Sequence, residues 1–134
     1  MTSSSPAILP LQKPEDIVLM RQRVREKAVS LGLSLIDQTK VVTAASELGR
    51  NAIIYGGGGH VEMDEVHDGG RRGLRLAFVD TGPGIADLEQ ALRDGYTSGS
   101  GLGLGLGGAR RLSDQFAIES APGKGTRVTI TRWR

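Results

Sequence analysis

Cysteine is absent from this chain of 134 residues, aromatic residues number only five, and long apolar runs are missing. Without cysteine there is no disulfide framework, thiolate zinc site, iron–sulfur cluster or cysteine nucleophile. No apolar run reaches the roughly 18 residues that span a bilayer, and the first six residues lack the pattern of a secretion signal. These absences favour a cytoplasmic protein that does not act in a membrane.

The charge balance also argues against nucleic-acid binding. The 17 basic residues are scattered among 15 acidic ones, and five aromatic side chains offer little surface on which bases could stack. Hydrophobic residues make up 38% of the chain and charged residues 24%, which suits one folded domain over residues 1–134. Glycine is over-represented: it accounts for 20 of the 134 residues, roughly twice its usual share of about 7%.

Hydrophobic periodicity predicts an α+β fold. The order is an edge strand, two helices, a strand hairpin, two further helices and a final hairpin. Because strands follow strands through short turns, we expect a two-layer sandwich, with helices on one face of a mixed, mostly antiparallel sheet. The predicted strands are residues 7–11, 60–66, 74–80, 116–120 and 126–133. The predicted helices are residues 14–31, 34–55 and 87–93, followed by one that ends near residue 114.

The second predicted helix carries a polar pair. Glu47 and Asn51 are four residues apart, so they are neighbours on one helix face, opposite the apolar stripe that includes Leu48. A carboxylate beside an amide oxygen can hold a hydrated Mg²⁺ and accept a proton from a nucleophile. An ordinary solvated helix face has the same pattern, so both interpretations stay open.

A second candidate follows the predicted strand 74–80. Asp80 has the parity of Leu76 and Phe78, so it faces the core at the end of its strand. A core-facing carboxylate needs a partner, and the amino group of an adenine is one. Gly82 and Gly84 would let a flat base approach the backbone closely. An ordinary turn at a strand end has the same composition.

The third candidate is residues 95–108, in which seven of fourteen residues are glycine. Leucines alternate with these glycines and an apolar helix follows, so the segment predicts a helix N-terminus whose amides could cradle phosphates. A flexible linker is the alternative, although a linker inside so short a chain would join nothing. The P-loop pattern fails because Gly123 and Lys124 are followed by Gly125 rather than serine or threonine.

Together these segments resemble, in order and spacing, the ATP-binding domain shared by histidine kinases, type II topoisomerases, heat-shock chaperones and mismatch-repair ATPases, the GHKL or Bergerat fold. Residues 47–51 are similar to its N box, and residues 80–84, 101–105 and 123–126 to its three glycine boxes. Both histidines lie downstream of the N box, unlike the phosphoacceptor of a histidine kinase. The chain most resembles the small stand-alone branch of anti-sigma factors and switch-protein serine kinases, especially the stressosome serine/threonine kinase.

The resemblance implies an ATP-dependent kinase of a partner-switching pathway that transfers the γ-phosphate to a serine of a STAS-domain antagonist protein. A PP2C-type phosphatase or a sigma factor would be a further partner. The alternative is an anti-sigma factor whose ATP site gates the capture of a sigma factor. Neither interpretation involves nucleic acid or a membrane.

The resemblance also implies roles for individual residues. Glu47 is expected to act as general base, and Asn51 to bind both ATP and Mg²⁺. Asp80 would bind the adenine amino group with Thr126 nearby, and Arg50 would face the γ-phosphate or the partner. The other ATP-binding residues that the resemblance implies are Gly82, Gly84, Ile85, Gly101, Leu102, Gly103, Leu104 and Gly105.

Overall fold

The computed structural model describes the backbone of residues 2–3 and, in full, residues 6–85, 92 and 105–134. In chain order the elements are β1 (Thr2–Ser3), β2 (Ala7–Leu11), α1 (Pro14–Ser30), α2 (Leu35–Ile54), β3 (Gly59–Asp68), β4 (Arg71–Asp80), α3 (Gly105–Arg111), β5 (Gln115–Ser120) and β6 (Thr126–Trp133). The α+β fold predicted from the sequence is confirmed. The short helix predicted at 87–93 lies, apart from residue 92, outside the described residues. Within the described part of the chain, no helix is both long and apolar enough to cross a membrane.

Helix α1 begins where its sequence predicts. Pro14 occupies the first turn, and the Asp16 carboxylate accepts backbone hydrogen bonds from Gln12 at 2.9 Å and Lys13 at 3.2 Å. The bond from Gln12 is the main reason that the pKa of Asp16 lies below its usual value. The helix ends before Gly32, whose positive φ of 83° is the left-handed conformation typical of a helix terminus.

Helix α2 is the central helix of the layer. Ser34 caps it by accepting a hydrogen bond of 3.1 Å from the Asp37 amide. Helix α1 crosses it at Gly49, where an added Cβ would lie 2.9 Å from the Ile17 side chain. Because α2 contacts the sheet, α1 and α3, its burial extends well beyond one stripe. Its buried residues are Val41, Val42, Ala44, Ala45, Glu47, Leu48, Gly49 and Ala52.

All the strand pairings that the structure describes are antiparallel, with strand order β1-β3-β4-β6-β5. Strand β2 pairs with β3 as well, on the same edge as β1. The β3–β4 hairpin turns through Gly69 and Gly70, and Asp68 pairs with Arg71 across it. This two-residue turn fixes the register that brings Asp80 opposite Gly59.

The core lies between the sheet and the helices. Alternate residues of β4 and β6 point into it, including Leu76, Phe78, Val128 and Ile130, all nearly inaccessible to solvent. The opposite face of the sheet carries charged residues. The helix-facing rows of the sheet therefore end, beyond Phe78 and Val128, at the polar residues that the sequence analysis singled out.

Candidate nucleotide-binding site

Three polar residues end the helix-facing rows of neighbouring strands. Asp80 of β4 lies directly opposite Thr126 of β6, and Thr126 lies directly opposite Ser120 of β5. Opposed residues share a face, with Cβ atoms about 5 Å apart, and Phe78 and Val128 place that face toward the helices. The prediction that Asp80 points inward is confirmed. We call Asp80, Thr126 and Ser120 the polar row.

The C-terminal end of α2 lies against the polar row. A Cβ at Gly56 would overlap the Asp80 carboxyl group, and a Cβ at Gly82 would lie 2.6 Å from the Gly56 Cα. Asn51 is one turn earlier, and its carbonyl oxygen accepts hydrogen bonds from Tyr55 at 2.9 Å and from Gly56 at 3.2 Å. Asn51 and Asp80 are therefore linked through the Gly56 backbone and belong to one region of the molecule.

The loop after β4 is held to the hairpin between β5 and β6. The Gly82 amide donates to Oδ1 of Asp80 at 3.0 Å, and the Gly123 amide donates to the Pro83 carbonyl at 2.7 Å. The Ile85 amide donates to Oγ of Ser120 at 2.8 Å. Gly84, with a φ of 79°, packs against the Ala121 backbone, where a side chain would clash. These contacts fix the backbone that follows Asp80.

Glu47 is buried, with 6% of its surface exposed, which excludes the solvated-face interpretation for this residue. The prediction that it lies on a face opposite to the packed one is wrong, because α2 is covered on three sides. A buried carboxylate requires a partner, and Nη1 of Arg50 lies 2.8 Å from its Oε1. Its Oε2 has no hydrogen-bond partner among the described residues. Arg50 therefore faces Glu47 here.

Asn51 and Asp80 both keep free hydrogen-bonding capacity. The side-chain amide of half-buried Asn51 makes no hydrogen bond to any residue in the described ranges. The Asp80 carboxylate receives only the Gly82 amide within those ranges, so its Oδ2 remains free. An amide oxygen is a suitable ligand for Mg²⁺, and a free carboxylate oxygen can accept from an amino group. The Asn51 amide oxygen and the Asp80 carboxylate oxygen together fit a nucleotide bound with its metal ion.

The described residues contain no cluster of three or more His, Cys, Asp or Glu side chains that could hold a metal ion.

The structure describes the glycine-rich segment 95–108 only from Gly105 onward. Gly101, Leu102, Gly103 and Leu104 lie outside the described residues. Gly105 begins α3, and Leu106 is buried where α3 packs against α2. Helix α3 thus starts within the glycine segment, and Gly107 and Gly108 are helical and buried rather than part of a loop.

Two residues of this region were missed in the sequence. No motif marks Gly56, which follows α2 in a run of four glycines, although its backbone lies against the Asp80 carboxyl group. Ser120 was placed in a strand without a role, although its parity with Phe116 and Ile118 could have shown that it faces the helices. Gly125 has a φ of 74° and packs against the Asp80 backbone, so a side chain there would clash.

Residues 36–133 match the family described as histidine kinase-, DNA gyrase B-, and HSP90-like ATPase. The chain belongs to this family. It is 42% identical over 118 residues to the serine/threonine-protein kinase RsbT of Bacillus subtilis (strain 168), covering 88% of this chain and 89% of that protein. It is 33% identical over 128 residues to the anti-sigma F factor of Clostridium acetobutylicum, covering 91% and 88%. The resemblance to the kinase and anti-sigma branch is confirmed.

Solved structures with lower identity share the fold. The crystal structure of the RsbU and RsbW domains of a Mycobacterium tuberculosis protein has a TM-score of 0.62 at 22% identity. That match covers 98% of this chain and 33% of the other, so this chain spans about a third of that structure. The mycobacterial sensor histidine kinase MprB gives a TM-score of 0.54 at 18% identity, covering 96% and 97%.

Proposed function

We propose that this chain is an ATP-dependent protein serine/threonine kinase of a partner-switching pathway. It acts in the cytoplasm as one ATP-binding domain and phosphorylates a serine of a STAS-domain antagonist protein. Family membership and the 42% identity to a serine/threonine kinase over most of both chains support this proposal. The observation that carries it is the buried carboxylate of Glu47 on α2, one helical turn from the Asn51 amide, which bonds no side chain or backbone group in the described part of the chain.

The base of ATP is recognised at the polar row. Asp80 accepts from the adenine amino group through Oδ2, because Oδ1 is already bonded to the Gly82 amide. Glycine at positions 56 and 125 keeps side chains away from the carboxyl group and the backbone of Asp80, and glycine at position 82 allows its close approach to the Gly56 backbone. Gly84 and Ile85 shape the adjoining loop, which the Ser120 hydroxyl holds in place.

The phosphates lie toward Asn51 and the glycine segment. Asn51 holds Mg²⁺ through its amide oxygen, and residues 101–105 supply backbone amides to the phosphate oxygens. Bound Mg²⁺ neutralises charge on the phosphates during phosphoryl transfer. Two contacts support this role: the Asn51 carbonyl accepts hydrogen bonds from Tyr55 and Gly56 at the end of α2, and Gly56 in turn lies against the Asp80 carboxyl group.

Glu47 acts as the general base. The substrate serine oxygen attacks the γ-phosphorus, its proton passes to Oε2 of Glu47, and ADP leaves with the electrons of the broken P–O bond. Arg50 bonds Oε1 at 2.8 Å and so orients the carboxylate. Positioning supplies most of the catalysis in this class of reaction, so few side chains are needed.

The decisive experiment incubates the protein with Mg-ATP labelled at the γ-phosphate and with the STAS-domain protein encoded beside it. We expect phosphoserine from the wild type and at least a hundredfold slower transfer from Glu47→Gln, with ATP binding retained. Glu26→Gln is the matched control, because Glu26 is exposed on α1 and its nearest cation, Arg23, lies 4.0 Å away. Wild-type transfer by Glu47→Gln would overturn the assignment of the base.

A second candidate function is an anti-sigma factor that binds a sigma subunit under control of its ATP site. The identity of 33% to an anti-sigma F factor over most of both chains favours it. Titration with a purified sigma factor and with the STAS-domain protein separates the two functions. Nucleotide-dependent capture of the sigma factor without phosphoserine formation would favour this second function over the first.

A further inference from the structure

The Ser120 hydroxyl takes part in three hydrogen bonds. Its Oγ lies 2.8 Å from the Ile85 amide nitrogen, 3.0 Å from the Gly125 carbonyl oxygen and 2.8 Å from Oγ1 of Thr126. A serine hydroxyl has one hydrogen to donate and two lone pairs to accept. All three contacts are therefore satisfied at once only if each partner takes a definite role.

Two of these roles follow from chemistry. The Ile85 amide can only donate, so Ser120 accepts from it. The Gly125 carbonyl can only accept, so the single hydrogen of Ser120 points to it. Ser120 then has no hydrogen left for Thr126, and the hydrogen of the third bond must come from the Thr126 hydroxyl. The direction of this bond is thus fixed although either oxygen could donate in isolation.

The direction of this bond also determines what the Thr126 hydroxyl presents on the side of Asp80. Its hydroxyl has used its hydrogen on Ser120, so it presents only lone pairs to the space beside Asp80, its partner across the ladder. Asp80, when ionised, is also an acceptor only. The wall of the site formed by these two residues therefore accepts hydrogen bonds and donates none.

We propose that Ser120 is a positioning residue that makes this wall acceptor-only and thereby selects a purine with an amino group at position 6 over one with a 6-oxo group. The inference rests on the proposed function, since it concerns the base of the nucleotide. Facing a 6-oxo group, an acceptor-only wall leaves polar atoms without donors in a partly desolvated site, which is how binding sites reject near-isosteres strongly. If Thr126 were released from Ser120, its hydroxyl could rotate and donate to the 6-oxo group.

A purely structural role for Ser120 predicts a different result. Because Ser120 also holds the Ile85 amide, its loss would loosen the loop after β4 and weaken binding of every nucleotide alike. The positioning role instead changes the ratio between two nucleotides that differ at position 6. The affinity ratio of ATP to inosine triphosphate therefore separates the two roles.

The test is calorimetric titration of the full chain with ATP and with inosine triphosphate. We expect the wild type to prefer ATP strongly and Ser120→Ala to lower that preference about tenfold, whereas Ser120→Thr, which keeps the hydroxyl, restores it. Ser113→Ala is the matched control, because the Ser113 hydroxyl also bonds a backbone carbonyl, that of Ala109 at 2.8 Å, but in α3. It should keep the wild-type ratio.

An unchanged ratio in Ser120→Ala, with or without a loss of stability, would overturn the positioning role and leave the proposed kinase intact. If Ser120→Ala does not fold, Ser120→Cys replaces the oxygen by a sulfur of weak hydrogen-bonding power, and the same fall in the ratio is expected. A wild type that binds neither nucleotide would overturn the proposed function, and this inference with it.

Discussion

Asp64 and Glu62 on one face of the sheet differ from Asp80 on the other in how fully their carboxylate oxygens are bonded. On the face away from the helices, Asp64 binds Arg75 through two contacts of 2.9 and 3.3 Å, and Glu62 binds Arg127 at 2.8 Å and His60 at 2.9 Å. On the helix-facing side, Asp80 receives one backbone amide, and its other oxygen has no hydrogen-bond partner among residues 6–85, 92 and 105–134. Charges that satisfy each other stabilise a surface, whereas a carboxylate held with spare capacity can bind a ligand.

The outer face also contains a cleft, which shows why shape alone does not identify a site. About 260 Å³ of space lies between Pro6 and the ion pairs of the outer face. Its charged walls are formed by Glu62, Asp64, Arg75 and Arg127, which bind one another. A ligand there would have to displace existing ion pairs, so we place the nucleotide at Asp80.

The largest expected effect tests the helix-facing side. Asp80→Asn keeps the shape of the side chain but removes the charged acceptor, so ATP affinity should fall about a hundredfold, in line with about 1.5–3 kcal/mol for a hydrogen bond to a charged group. Calorimetric titration measures the affinity, and thermal unfolding checks that the fold is retained. ATP affinity like that of the wild type would contradict the placement of the base.

The matched change on the outer face should lower stability and leave ATP affinity nearly unchanged, which is the reverse of the effects expected for Asp80→Asn. Asp64 is 7% exposed, so Asp64→Asn leaves Arg75 without its charged partner and should lower the free energy of unfolding by about 2 kcal/mol. ATP affinity should stay within twofold of the wild type. Urea denaturation and ATP titration measure the two quantities. A large loss of ATP affinity in a folded Asp64→Asn protein would mean that the two faces do not differ as described.

The smallest expected effect is a pH dependence of stability from the outer face. The hydrogen bond from Arg127, followed by that from His60, lowers the pKa of Glu62 from its usual 4.5. A lowered carboxyl pKa stabilises the fold above about pH 4.5, and that contribution is lost as pH falls through the folded-state pKa. Glu62→Gln should therefore lose stability relative to the wild type at pH 7 and approach it near pH 3. If the difference in stability between Glu62→Gln and the wild type stayed constant from pH 7 to pH 3, the ionisation of Glu62 would not contribute to stability as described.

Local patterns predicted much of the fold. Pro14 and the acidic residues in the first turn of α1, the Ser34 cap of α2 and the Gly69-Gly70 turn all act over a few residues. The inward direction of Asp80 followed from strand parity alone. Such features depend on neighbours in sequence, so one sequence is enough to predict them.

The environment of α2 could not be predicted in the same way. One stripe of apolar residues suggested one buried face, yet Glu47 is buried because α3 and α1 flank the helix as well as the sheet. The contact between Gly56 and Asp80 joins a helix end to a strand end far along the chain. Neither the burial of Glu47 nor the contact between Gly56 and Asp80 leaves a periodic pattern in the sequence, because each depends on single residues of separate elements.

The sequence by itself predicted the family and most of the described helices and strands, since these depend on short-range periodicity, turn residues and spaced motifs. Only the tertiary structure decided that Glu47 is a buried carboxylate bound to Arg50 and that the hydroxyls of Ser120 and Thr126 lie 2.8 Å apart, beside Asp80 in the polar row. Burial is set by all the elements that surround a residue. The direction of a hydroxyl hydrogen is set by all the partners of the hydroxyl, and those of Ser120 come from two segments of the chain, Ile85 and residues 125–126.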